Sequence, residues 1–229
     1  MQPTYLPWAG YFGLMQSVDL FIILDSVQFA KRSWQQRNQI KTINGPLWLT
    51  VPVSSKGKRD QLISEVEIDY KGQFPLNHQK SLQMSYQKAP YFEIFGPEIL
   101  SIIGAGDKYL SSLTVNLIKK IKDSMGIKTP IYLSTEFCCE GSRDDLLANL
   151  CSQVKATEYV SPPGSRVYLE NSSAFVQRQI EVSYFEFTHP EYDQRFGDFL
   201  PYMSVVDMLF NCGADNASML LNGNKICRT

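Results

Sequence analysis

Apolar residues fall along this chain in two rhythms, and the switches between them mark its elements. The run LFIIL, Leu20 to Leu24, is continuous and strand-length, as a strand covered on both faces reads. Just before it, Tyr11, Leu14 and Met15 recur at helical spacing with Phe12 beside them, so the chain opens loop, short helix, buried strand. LWLTVPV, Leu47 to Val53, predicts a second strand, which Pro52 places at an edge or an end. SSKGKRDQ is a polar loop, and ISEVEID alternates like a half-exposed strand. From about residue 72 to 126 the spacing turns helical, with Pro and Gly stops, and DKYLSSLTVNLIKKIKDSMG is its clearest helix, with lysines and Gly126 at its end. Beyond it, TPIYLST predicts a short strand. SRDDLLANLCSQV predicts a helix opened by a Ser142–Asp145 capping box. TEYVSPPGS reads as a strand into a turn, FVQRQIEVSYFEF as a short helix and a strand, and SVVDMLFNCGADNASMLL as a helix with a glycine stop. The alternation predicts one α/β domain over residues 1–229. It has a mainly parallel sheet, flanking helices and a helical insertion around 72–126.

Composition narrows the class. The chain has 229 residues, 44% hydrophobic and 20% charged, enough to bury a core. A net charge of −1 gives no basic field, so no nucleic-acid partner is expected. No apolar stretch approaches the roughly 20 residues of a spanning helix. No secretory leader is visible, and five cysteines, an odd number, suit reduced thiols, so a cytoplasmic location is expected. Cys138, Cys151 and Cys212 lie in or beside apolar runs and read as core thiols, and His78 and His189 stand too far apart to suggest a metal site.

Several residues carry candidate chemistry. Pro3 and Pro7 stiffen the opening stretch, and Gly10 lets a helix start close to a ligand or a neighbouring strand. Tyr5, Trp8 and Tyr11 offer flat faces with polar edges to a sugar or a base; a plug for the sheet end is the competing role. Asp25 follows the LFIIL strand, where α/β folds place ligands, and can act as general base or as a cap. Lys31, Arg32 and Arg37, interleaved with Trp34 and Asn38, can grip a diphosphate, although such clusters also decorate plain surfaces. His78 is the second catalytic candidate. Ser165 in the SPPGS turn, Gln194 and Asp207 complete the candidate set.

The blocks QPTYLPWAGYFGLMQSVDLFIILDSVQFAKRSWQQRNQI, WLTVPV, HQKSLQMSYQKAPYF and YDQRFGDFLPYMSVVDMLFNCG resemble, in the same order, those of the WbqC-like family. The family occurs in bacterial O-antigen and other surface-polysaccharide gene clusters, and a glycine-transferase role has been suggested for it. The resemblance implies a cytoplasmic transferase acting on a nucleotide-linked sugar or amino sugar, with Asp25 or His78 taking a proton from the acceptor. Lys31, Arg32 and Arg37 would hold the diphosphate, and Gln2 of the opening block joins the substrate-contacting set. It names no cofactor and leaves the acyl or aminoacyl donor and the oligomeric state open. Family members commonly carry a short apolar strand ahead of the Gln-Pro pair, whereas Met1-Gln2 opens this sequence, so either that strand is missing or the start differs. A weaker likeness is to nucleotidylyltransferase-like (HUP-like) cores. Trp8-Ala9-Gly10-Tyr11 stands where those enzymes place phosphate-clamping histidines, which tells against adenylyl transfer. A non-catalytic binding or scaffold protein of the same pathway, and a nucleotidylyl transferase, are the competing functions.

Overall fold

A computed structural model describes residues 1–170, 172–222 and 224–228. The chain runs α1 (Ala9–Gln16), β1 (Phe21–Ile23), β2 (Arg37–Thr42) and β3 (Gly45–Thr50). Three helices follow, α2 (Leu76–Tyr86), α3 (Phe92–Ile103) and α4 (Leu110–Ser124). Then come β4 (Ile131–Leu133), α5 (Asp144–Gln153), β5 (Glu158–Ser161), α6 (Arg166–Leu169), α7 (Ser173–Gln177) and β6 (Glu181–Glu186). The long α8 (Val205–Leu221) and β7 (Lys225–Arg228) close the described chain.

The architecture is mixed α/β, but the strands form three small sheets among the described residues. β1 and β4 pair in parallel, β2 and β3 form an antiparallel hairpin, and β6 pairs in parallel with β5 and antiparallel with β7. Parallel pairing is thus confined to two strand pairs. Residues 72–126 hold α2, α3 and α4, as the helical spacing there predicts.

Local differences from the sequence reading have clear causes. RNQIKT forms β2, and its alternate residues Asn38 and Ile40 are buried. The polar Arg37, Gln39 and Lys41 hide that alternation in the sequence. ISEVEID makes a single 3₁₀ turn at Ile63–Glu65 and isolated bridges from Glu67 and Ile68. The Ser142–Asp145 box is not made: α5 starts at Asp144, with Arg143 at its cap position in a left-handed conformation and no side-chain cap. Cys151 is buried, but Cys138 is exposed and Cys212 half-buried, because Cys138 sits in the loop before α5 rather than in a strand. No described helix is long and apolar enough to cross a membrane.

One core runs through α1, β1, β2, α2–α4 and α8, and a smaller one joins α5, α7 and their neighbours. α8 crosses the larger core, and its helical geometry breaks at Gly213, where the sequence places a glycine stop. Gly213 takes φ 78° inside it and kinks it against Tyr91, whose ring stands 2.7 Å from where a Cβ would lie. Gly213→Ala combines a backbone conformation closed to alanine with a steric overlap. It should lower unfolding stability by about 2 kcal/mol or more. Urea unfolding reads this directly, and an unchanged midpoint would contradict the packing described.

Candidate functional site

The opening stretch is folded inward. Tyr5 and Tyr11 are buried, with hydroxyls pushed far above the usual phenol range by burial, so neither ring is open to a ligand. Trp8 lies over Gly10, where an added Cβ would meet its ring at 2.2 Å. The indole also packs edge-on against Phe187 and beside Tyr202. The loop is tied down by its neighbours. Tyr5 N–H donates to the Trp34 carbonyl, the Asn38 side-chain amide to the Leu6 carbonyl at 2.7 Å, and Val205 N–H to the Pro7 carbonyl. The Gln35 amide donates to the Gln2 side chain at 2.9 Å. Gln2, Tyr5, Trp8 and Asn38 therefore share one neighbourhood, but as a brace.

Both catalytic candidates are held by internal partners. Asp25 is buried just beyond β1, and its carboxylate accepts from Ser134 Oγ and Thr135 N–H at 3.0 Å and from Thr135 Oγ1 at 2.8 Å. It joins the ends of the parallel strands β1 and β4. His78 is buried on α2. Its Nδ1 lies 2.9 Å from the Tyr5 hydroxyl, and the ring makes a backbone hydrogen bond with Thr50. The neutral tautomer with Nδ1 accepting satisfies both partners. Burial lowers the pKa of His78 to about 4.

A third buried network sits at the start of α8, where Asp207 accepts from Tyr86 Oη at 2.7 Å and from Tyr192 Oη at 2.8 Å. Burial raises the Asp207 pKa, and the two phenol hydrogen bonds oppose that shift. The Tyr86 oxygen in turn accepts from Lys41 N–H, and the Lys41 ammonium, also buried, donates to the Gly197 and Asp198 carbonyls. Gln194 spans the same loop, bonding Leu200 through both ends of its amide. Asp207 and Lys41 thus hold the irregular segment 187–204 against α2 and β2, and Gln194 fastens the segment to itself. Sequence reasoning missed Lys41, Tyr86 and Tyr192 as a group, because residues so far apart along the chain leave no spacing signal.

What reaches solvent is the segment between β1 and β2. Arg32 holds φ 59°, a left-handed conformation rare outside glycine, and Gln36 braces it by accepting from its N–H at 3.0 Å. Gln35 accepts from Ala30 N–H at 2.9 Å, and Ser33 Oγ donates to the Ala30 carbonyl at 2.6 Å. Two buried glutamines thus fix a strained turn whose Lys31, Arg32 and Trp34 side chains are exposed. Arg37 follows at the start of β2, its guanidinium 4.4 Å from the Trp48 ring centroid.

Ser165 lies elsewhere, buried in the turn after β5 and bonded to Ser161 Oγ and the Pro162 carbonyl. Recesses of about 510 Å³ between β1 and β5, and about 570 Å³ around Lys58 and Tyr109, are lined by none of the candidate residues. Of the predicted set, Lys31, Arg32 and Trp34 are exposed on one turn and Arg37 follows half-buried on β2, with Gln2 and Tyr5 bonded to the same stretch and Asn38 to the opening loop.

The chain belongs to the WbqC-like protein family, whose sequence profile matches residues 2–219. It is 38% identical over 217 residues to an uncharacterized protein of Mycobacterium tuberculosis (strain ATCC 25618 / H37Rv), a match that covers 94% of this chain and 93% of the relative. No solved structure matches it.

The buried histidine gives a signed pH dependence. Between about pH 4 and its ordinary pKa of 6.5, His78 binds a proton in the unfolded chain but not in the folded one. Its contribution is fully present above pH 6.5 and is lost as the pH falls toward 4, a span of about 3 kcal/mol. His78→Gln should flatten the dependence of unfolding free energy on pH in that window relative to the parent. Denaturant titrations at pH 4.5, 5.5 and 7 measure it, and parallel curves for the two proteins would refute the assignment.

Proposed function

We propose that this chain binds a nucleotide-linked sugar used in bacterial surface-polysaccharide assembly, and that the turn at residues 30–37 takes its diphosphate. The observation carrying this reading is the braced, strained turn that displays Lys31 and Arg32 to solvent. Side chains held by a fixed backbone lose less freedom on binding. Strain of the Arg32 kind recurs at ligand clamps. Guanidinium groups match phosphate oxygens in pairs, and the rest of the chain, with a net charge of −1, sets up no competing basic field. Family membership supports the process.

Binding stands ahead of group transfer. The acyl or aminoacyl transfer suggested for the family needs a base free to take a proton, and both Asp25 and His78 already have partners in the fold. Asp25 accepts three hydrogen bonds and fastens two strand ends, which is the work of a structural carboxylate. The burial that lowers the His78 pKa keeps its ring neutral near pH 7, but places it beneath the opening loop.

The test is a titration of nucleotide-sugars by calorimetry. Arg32→Ala should weaken binding roughly ten- to a hundredfold, the worth of a hydrogen bond to a charged group. Arg32→Lys should weaken it too, although the charge is kept. A change below about threefold in both variants, as for an ordinary exposed charge, would refute the clamp.

A further inference from the structure

A second anion-reading group lies beside that turn, in a setting unlike a plain surface. In the β2–β3 hairpin, Arg37 pairs with Thr50 and Gln39 with Trp48, which makes Arg37 and Trp48 diagonal neighbours on one face. The opposite face of β3 carries Leu49, buried in the core. The outer face instead carries an indole that is 41% exposed, and Trp34, 52% exposed, stands 5.3 Å from it at an interplanar angle of 40°. Exposed to this degree, the two rings contribute little to the core. The Arg37 guanidinium lies 4.4 Å from the centre of the Trp48 ring, and the ion pairs among the described residues do not include it.

This geometry selects a ligand. A guanidinium held against an indole by cation–π attraction keeps N–H donors that a carboxylate takes up through two parallel hydrogen bonds. The neighbouring indole offers a flat apolar surface. A pyranose ring with a carboxylate at its edge meets both, its C–H face on an indole and its carboxylate on Arg37. A nucleobase offers the flat face without the carboxylate, and phosphates are served by Lys31 and Arg32 in the adjoining turn. We propose that Trp34, Trp48 and Arg37 form a subsite for an acidic sugar ring, a hexuronate. This rests on the nucleotide-sugar reading and names the sugar that the same face prefers.

The test uses free sugars, so that the subsite and the diphosphate clamp are read separately. Tryptophan fluorescence is followed while the intact protein is titrated with methyl glucuronide, methyl glucoside and uridine monophosphate. The glucuronide should bind at least tenfold more tightly than the glucoside. Arg37→Lys should remove most of that preference, whereas Trp34→Ala and Trp48→Ala should weaken both sugars. Trp34 and Trp48 are exposed and Arg37 is half-buried, and unchanged urea midpoints will show that the variants stay folded. Equal binding of the two sugars, or no response to either, overturns the subsite. So does a mononucleotide that quenches the tryptophans and is indifferent to Arg37→Lys, since the rings would then be a base platform. A uronide preference without nucleotide-sugar binding would sink the diphosphate clamp and leave the subsite standing. The reverse result would sink the subsite alone.

Discussion

The Asn38 side-chain amide, donated to the Leu6 carbonyl from a fully enclosed position, is the contact on which the rest of this structure leans. A buried carbonyl left without a donor costs about 1–3 kcal/mol, so the opening loop has one low-energy place to lie. Around that bond, Tyr5 reaches Trp34, Pro7 accepts from Val205, and Ser204 N–H donates to Gln39. Three distant stretches of chain, the opening loop, β2 and the start of α8, are drawn into one knot. The stiff prolines and glycines at the front of the sequence are explained by that knot. They shape a loop that must turn sharply, with Leu6 at φ 45°, and let Trp8 lie flat on the helix it precedes.

The knot also separates support from surface. Tyr5, Tyr11, Asp25, His78 and Asp207 carry groups that could do chemistry, yet each is enclosed, and all but Tyr11 bond to another part of the fold. The Tyr11 hydroxyl is buried with no hydrogen-bond partner among the described residues. By contrast the 30–37 turn is rigid in its backbone and open in its side chains. A loop that devotes two buried glutamines to fixing a left-handed arginine, and then sends three long side chains to solvent, is arranged to present them.

Much of the fold was legible in the sequence because its signals are local. The LFIIL run, the helical spacing of 72–126, the TPIYLST strand and the SPPGS turn each appear where their patterns place them. What escaped is long-range. β2 carries polar residues at every position but Ile40, on a strand whose burial comes from the opening loop and α8, so its alternation does not show. The mainly parallel sheet expected from alternating elements requires strands to meet across the molecule, and periodicity says nothing about which edges do. The candidate site divides the same way. Lys31, Arg32, Trp34 and Arg37 lie close together in sequence, so grouping them needs no distant partner. The enclosure of Tyr5, Asp25 and His78 depends on partners 73 to 110 positions away.

The central claim is that the opening loop braces and the adjoining turn and hairpin bind. Hydrogen–deuterium exchange with and without a nucleotide-linked glucuronate measures this most directly, because it reads each backbone segment in one experiment. The account predicts added protection at residues 30–37 and 47–50, with slow and unaltered exchange at residues 4–6, which are already buried. Ligand-dependent protection centred on the opening loop, or on the turn at 161–166, with none at 30–37, would contradict it.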